Sequence, residues 1–285
     1  MIWYYILLYA LIQGITEFLP ISSSGHLILA HEWVNGQMQP SAQTDSARWA
    51  QDAIIDIAVH VGTLFSVLLY FWRDFYGIAR GVILSCFGSA DIRGRDNVKQ
   101  GRNAAFYIII ASVPVIIAGY LLHQWQPDWL RSAEIVAWTT LIFAYALWLA
   151  DRFCPSKLDV SEMTLKMALV VGFAQVLALV PGTSRSGITM TAARGMGYTR
   201  EAAAKFSLFL SVVAISGAGL LAGLDVFKSE NVQLGADAVI AAAVSFVAGY
   251  CAITVMIKWL KTHDFTPFVL YRALLGLVLL LIVYL

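Results

Sequence analysis

Two apolar segments of this 285-residue chain are each broken near the middle by residues that interrupt a helix. The first, Met1 to Val34, breaks at Pro20 ahead of Ser22, Ser23 and Ser24; the second, Met167 to Ala193, breaks at Pro181-Gly182 ahead of Ser184, Arg185 and Ser186. Irregular backbone at membrane depth is tolerated only where protein or a water-filled cavity covers it. Both segments are therefore expected to be re-entrant helical hairpins, about 1–34 and 167–193. Set against each other with an offset of 162, QGITEFLPISSSGH (Gln13 to His26) and QVLALVPGTSRSGIT (Gln175 to Thr189) agree at Gln13/Gln175, Ser22/Ser184, Ser24/Ser186 and Gly25/Gly187. Glu17 and His26 belong to the first copy alone and Arg185 to the second, so a duplicated loop has become two unlike half-sites.

The surroundings are those of a polytopic membrane protein. Hydrophobic residues make up 59%, charged residues 13%, and mean hydropathy is +0.73, well beyond the balance of a soluble domain. Six long apolar runs read as spans, at about 53–72, 104–122, 135–149, 206–224, 238–257 and 268–285. Each half, 1–150 and 151–285, then has one hairpin followed by three spans. Three spans is an odd number, so the second half enters the membrane from the opposite side. The predicted fold is an all-α inverted-topology repeat whose broken elements meet near the midplane, within one integrated membrane domain.

Charge distribution supplies orientation. With each hairpin returning to its own side, one set of loops carries fourteen lysines and arginines, while the other carries only Arg48, Arg131 and Lys228. The richer side is expected to be cytoplasmic, which puts both termini outside. The start, MIWYYILLYALIQG, lacks the charged leader and cleavage site of a signal peptide and reads as retained structure. Net charge is +1 with no basic block beyond the membrane-flanking loops, which excludes a nucleic-acid partner. Cys86, Cys154 and Cys251 are too scattered to indicate a disulfide framework or a metal site.

The two loops carry the chemistry. Arg185 stands between two serines just ahead of Gly187, where a helix is expected to begin. A guanidinium fork, hydroxyls and helix N-terminal amides converging there suit a phosphate; the plainer reading is an arginine that pairs with a carboxylate to hold the fold. Glu17 follows Gln13 by one helical turn, ahead of the serine cluster and His26. That set can supply a base, a nucleophile and a proton carrier for phosphoryl transfer. Alternatively, the serines satisfy loop backbone and His26 packs.

QGITEFLPISSSGHL and PGTSRSGIT, together with IAVHVGTLFSVLLYFWRD (Ile57 to Asp74), resemble the undecaprenyl-diphosphatase family associated with bacitracin resistance, over essentially the whole chain. The resemblance implies hydrolysis of the terminal phosphate of undecaprenyl diphosphate, recycling the lipid carrier of cell-wall synthesis. It also implies a bacterial inner-membrane location with the site opening to the periplasm, and a divalent cation, Mg²⁺ or Ca²⁺, with Glu17 as tentative ligand. Carried over by position, it marks Glu17, Ser23, His26 and Arg185 as catalytic, with Ser23 the leading nucleophile and His26 acid/base or rival nucleophile. Gln13, Ser22, Ser24, Ser184, Ser186, Gly187 and Thr189 fall on phosphate-binding positions. Gln13 departs from the glutamate that many members carry, and an amide cannot accept a proton at neutral pH.

Other polar residues have quieter readings. His60 is expected to be a capped core histidine, Arg272 to snorkel or pair, and the stretch Asp74 to Gly101 to be a solvated connection. Trp3, Tyr4, Trp33, Trp125, Trp129 and Tyr284 read as interfacial belt residues. The rival to a phosphatase is a lipid-phosphate or ion transporter, since broken helices meeting at the midplane also serve transport. Self-association as a homodimer is compatible with the sequence.

Overall fold

A computed structural model describes residues 3–23, 25–27, 46–88, 91, 95–125, 132–228 and 235–285, with the side chains of 46–53 and 225–228 left aside. Ser24, Trp33, Trp129, Arg93, Arg131 and the arm 28–34 of the first hairpin lie outside the described residues. The helices are α1 (Trp3–Thr16), α2 (Ser46–Tyr70), α3 (Trp72–Phe87), α4 (Asp96–Trp125), α5 (Ala133–Phe153), α6 (Leu165–Val176), α7 (Arg185–Gly195), α8 (Arg200–Lys228), α9 (Ala236–Leu260) and α10 (Thr266–Tyr284). No strand occurs among the described residues. The protein is all-α and multi-pass: among the described residues five helices are long and apolar enough to cross a membrane, and a bent pair, Ile54–Tyr70 with Trp72–Phe87, makes a sixth if counted as one span.

That pair corrects one expectation. The stretch after Asp74 is not a solvated connection but largely helix: α3 leaves α2 at an angle of 80°. It carries Trp72, Tyr76, Ile83 and Phe87 exposed, with Arg73, Asp74 and Arg80 interspersed. It then crosses α4 backbone to backbone, for a Cβ at Gly81 would lie 2.7 Å from Gly101 Cα.

The large exposed side chains face outward, among them Phe65, Leu69, Ile109, Ile117, Leu270, Leu274 and Leu277. Lipid is as apolar as leucine, so helices here are held by close van der Waals packing and interhelical hydrogen bonds rather than by burial from water. Small residues provide that closeness. Gly14 of α1 meets Ser245 and Ala248 of α9, and Gly172 of α6 meets the Ala111 backbone of α4. Tightest is Gly62 of α2, where a Cβ would stand 2.2 Å from the Ala242 carbonyl oxygen, while Ser245 Oγ donates to Val59 O across the same seam. Gly62→Ala is expected to force α2 and α9 apart at a cost of about 1–3 kcal/mol. A lower thermal midpoint in detergent would show it, and an unchanged midpoint would contradict the close crossing.

Three helices are too short to span. At about 1.5 Å per residue, α1, α6 and α7, with 14, 12 and 11 residues, reach roughly half to two-thirds of a hydrocarbon core of about 30 Å. They are arms of the broken segments: α1 packs on α9 and α2, α6 on α4 and α7, and α7 on α5 and α8. At the base of α7, Arg194 is 1% exposed and donates through Nε to Asp151 Oδ1 at 3.0 Å, a carboxylate shared with Arg200 at 2.7 Å and with the Phe265 amide at 3.0 Å. This paired network ties α5, α7, α8 and the start of α10 together and sets the height at which the other end of α7, Arg185, is held.

Candidate active site

Each broken segment ends its first helix for a local reason. In the first, the last regular bond is Glu17 N to Gln13 O at 3.0 Å, and Pro20 cannot donate to continue the ladder. Helix resumes at Ser23. In the second, α6 tightens through a 3₁₀ turn at Leu177–Leu179, and helix resumes at Arg185. Gly182 turns the chain at φ 88°, where a Cβ would lie 2.1 Å from Thr139 Oγ1. Ser22 and Ser184 are the positive-φ non-glycine residues among those described, at 71° and 67°. They are the pair matched by the sequence alignment. Such backbone costs about 1–3 kcal/mol per residue and gathers where a site requires it.

The two tips enclose a cavity of about 280 Å³ lined by Thr16, Glu17, Ser22 and Ser23 from the first hairpin and by Ala178 to Gly182, Ser184 and Arg185 from the second. Across it, Arg185 Nη2 donates to Glu17 Oε1 at 3.0 Å; the arginine side chain is 16% exposed and the carboxylate 11%. Nη1 of Arg185 is buried without a partner among the described residues. Half of the guanidinium fork is thus held by Glu17, and the other half is a desolvated donor, the state in which one more acceptor binds strongly.

Residues behind the wall fix the tips. Ser186 Oγ donates to Leu19 O at 2.9 Å, joining one hairpin to the other, and lies 3.1 Å from Ser184 Oγ. Thr139 and Thr140 of α5 donate to Pro181 O and Gly182 O. Arg272 of α10, fully buried, donates to Gly182 O at 3.1 Å, Thr183 O at 2.9 Å and Pro20 O at 3.5 Å. It does not snorkel. Its two terminal nitrogens donate to carbonyls freed where the helices break, from both hairpins at once, while Nε is buried without a partner among the described residues.

Of the residues expected at the site, Glu17, Ser22, Ser23, Ser184 and Arg185 line the cavity. Gln13 lies one shell back, its Nε2 donating to Glu17 Oε2 at 2.8 Å. The Gly187 amide, expected to be free for an anion, donates instead to Ser184 Oγ at 3.1 Å, because Ser184 is the N-cap of α7. Thr189 Oγ1 is spent on Ser207 Oγ at 2.7 Å. His26 points Nδ1 at Ser22 O, 2.7 Å, and Nε2 at the Tyr271 hydroxyl, 2.6 Å, with the two rings parallel at 5.4 Å. It is not among the cavity-lining residues. His60, read as a core histidine, is capped by Asp56 O but reaches Gln13 with its other nitrogen, 3.1 Å away. Sequence reasoning missed Tyr271, Thr139, Thr140 and Ser207, none of which carries a motif.

A second cavity of about 590 Å³ lies between α3, α4 and α8, lined by Arg73, Lys99 and Lys205 among others. Lys205 pairs there with Asp74 at 2.7 Å and Lys99 with Asp96 at 3.9 Å, and neither motif loop lines it. For a cation the donor set at the tips is poor: no three His, Cys, Asp or Glu side chains converge among the described residues, and both Glu17 oxygens are engaged. The chain's own residues do not fit a resident Mg²⁺ or Ca²⁺, which takes several oxygen ligands.

The match to known proteins runs along nearly the whole molecule. The model of the family described as bacitracin resistance protein BacA matches residues 6–278. The chain belongs to that family. Relatives of this BacA-family chain are named undecaprenyl-diphosphatase: one from Ruegeria pomeroyi is 43% identical over 282 residues, covering 99% of this chain and 98% of the relative. One from Jannaschia sp. is 44% identical with 97% of each covered, and one from Alteromonas mediterranea is 40% identical with 98% of each covered.

Proposed function

We propose that this protein is an undecaprenyl-diphosphatase, releasing the terminal phosphate of undecaprenyl diphosphate to leave the monophosphate carrier. The observation that carries the reading is the half-used Arg185 fork in the cavity lined by Ser22, Ser23 and Ser184, together with kinship over the full length to proteins of that name. Phosphoryl transfer depends on positioning and charge stabilisation, and both are built here: the hairpin tips are held by buried bonds, and a cation is offered from a preorganised helix start. Ser23 Oγ attacks the terminal phosphorus, passing its proton to Glu17, as the bond to the bridging oxygen breaks and lipid monophosphate departs. Water then opens the phosphoserine, releasing inorganic phosphate and restoring the hydroxyl. His26 acts as a proton carrier rather than nucleophile, a choice supported by the Tyr271 hydroxyl over its Nε2.

The inverted repeat of 1–150 and 151–285 is supported by exchange-related packing: α1 lies on α9 as α6 lies on α4, and α10 lies on α5, each pair swapping halves. The base of α7 meets Arg200 and Asp151 on the lysine- and arginine-rich side. Its tip therefore points away from the cytoplasm, and the cavity opens to the periplasm of a bacterial inner membrane with both termini outside. Single cysteines at Lys99 and Gly235, in a background lacking Cys86, Cys154 and Cys251, are expected to react with an impermeant label from opposite sides of intact cells, with Lys99 inside. Reaction of both from one side would refute the inversion.

Phosphate release by purified protein in detergent decides the activity. A phosphatase liberates inorganic phosphate from undecaprenyl diphosphate in that single phase. A transporter needs two compartments and liberates none, and that result would overturn the reading.

A further inference from the structure

Behind the cavity, the Gln13 amide is arranged in an unusual way. It is 1% exposed; its nitrogen meets two acceptors, Glu17 Oε2 at 2.8 Å and His60 Nε2 at 3.1 Å, while its oxygen is buried with no partner among the described residues. A primary amide has two N–H donors and one acceptor oxygen. Both donors are spent and the acceptor is idle. The arrangement requires an unprotonated His60 Nε2, since an N–H there would confront another N–H. The opposite edge of the ring agrees: Nδ1 lies 2.7 Å from the Asp56 carbonyl oxygen, which can only accept, so Nδ1 carries the ring proton.

A second proton on His60 would place a donor on Nε2. The buried oxygen of Gln13 is the acceptor at hand, and to present it the amide must turn over, which takes its N–H from Glu17. On the Nδ1 side the Asp56 side chain is 49% exposed, with Oδ1 3.6 Å from Nδ1 and accepting from the Tyr9 hydroxyl at 2.7 Å, so a carboxylate stands beside the ring that would carry the second charge. The ionisable groups around His60 are Asp56 on its own helix, Tyr9 and Glu17 from the first hairpin, and Arg185 from α7. The apolar stretch of α8, Phe206 to Leu224, has no ionisable side chain, and α9 meets α2 beside this level with Ala242 and Ser245.

We propose that His60 is a positioning residue for Glu17, acting through the Gln13 amide: a neutral imidazole lets Gln13 hold the carboxylate against Arg185, and an imidazolium draws the Gln13 oxygen to itself and releases Glu17. The inference rests on the phosphatase reading and adds a proton-sensitive arm to that site. Its sign is definite. As pH falls, His60 takes a proton, Glu17 loses an N–H donor that favours its ionised form, and the base is withdrawn. Activity then declines over the range in which His60 takes up its second proton.

The test is phosphate release from undecaprenyl diphosphate in micelles by the full chain, with kcat and KM measured from about pH 5 to about pH 8. His60→Gln retains an acceptor oxygen for Gln13 but does not titrate; His60→Leu removes both. The expected result is an acid limb of kcat in the wild type that is displaced to lower pH in His60→Gln. At neutral pH His60→Leu loses about tenfold in kcat, the scale of one lost buried hydrogen bond, with KM nearly unchanged, and His60→Gln recovers most of it. A wild-type profile flat across the whole measured range, a limb unmoved in His60→Gln, or equal damage from leucine and glutamine overturns the proposal. Should the His60 variants not fold, Gln13→Met cuts the same link and must move the same limb. Absence of any phosphate release by the wild type refutes the activity itself, whereas release with an unmoved limb refutes only the role of His60.

Discussion

Arg185→Lys is expected to lower kcat by about 10²–10³, the usual cost of removing one preorganised transition-state donor. The guanidinium bridges the two hairpins, with Nη2 on Glu17 at 3.0 Å and Nη1 buried and unpartnered. Lysine keeps the charge but offers a single compact head on a flexible stem, so it cannot bind Glu17 and a phosphate oxygen in one planar fork. It still pairs with Glu17, so the fold is expected to survive and the loss to fall on kcat more than on KM. Near-normal turnover in folded Arg185→Lys protein would remove the phosphate clamp from the mechanism and leave Arg185 as a structural partner of Glu17.

Ser23→Ala is expected to have the larger effect, more than about 10³-fold in kcat, because a covalent route has no substitute for its nucleophile. Ser23 opens the resumed helix of the first hairpin and lines the cavity opposite the arginine that opens α7, as the offset of 162 between their positions requires. Diphosphate binding is expected to persist, since Arg185, Ser22 and Ser184 remain. Ser184→Ala is expected to be milder, its hydroxyl being occupied as the cap of α7. Trapping of labelled phosphate on Ser23 would identify the attacking oxygen directly. If Ser23→Ala kept more than about a tenth of turnover while His26→Ala were inactive, attack would belong to His26 or to a water it activates.

Much of this architecture is legible along the chain because lipid imposes strong local rules. A long apolar run must be helical to satisfy its own backbone, so the spans near 104–122, 135–149, 206–224, 238–257 and 268–285 can be recognised one at a time, and the structure extends each by a few residues into the interfaces. The broken segments announce themselves through Pro20 and Pro181-Gly182, and Glu17 and Arg185, one from each matched motif, line one cavity. α3 did not announce itself, because charges every few residues read equally well as a solvated loop or as a helix lying at the interface.

What the sequence by itself determined was the helical class, the two breaks, and the residue types that could meet a phosphate. Only the tertiary structure decided how those residues are held and which of them face the cavity. Arg272 finds its partners at Pro20, Gly182 and Thr183, up to 252 residues away, and all three partners are carbonyls, which every residue possesses and no motif records. His26 meets Tyr271 across 245 positions, and His60 meets Gln13 across 47. Gly187 lost its expected free amide to the Ser184 cap, a bond that depends on Ser184 adopting positive φ. Spacing reports which side chains share a helical face, but the pairing of one broken helix with another is set by close packing between distant segments, where the free energy of each contact depends on geometry the chain acquires only on folding.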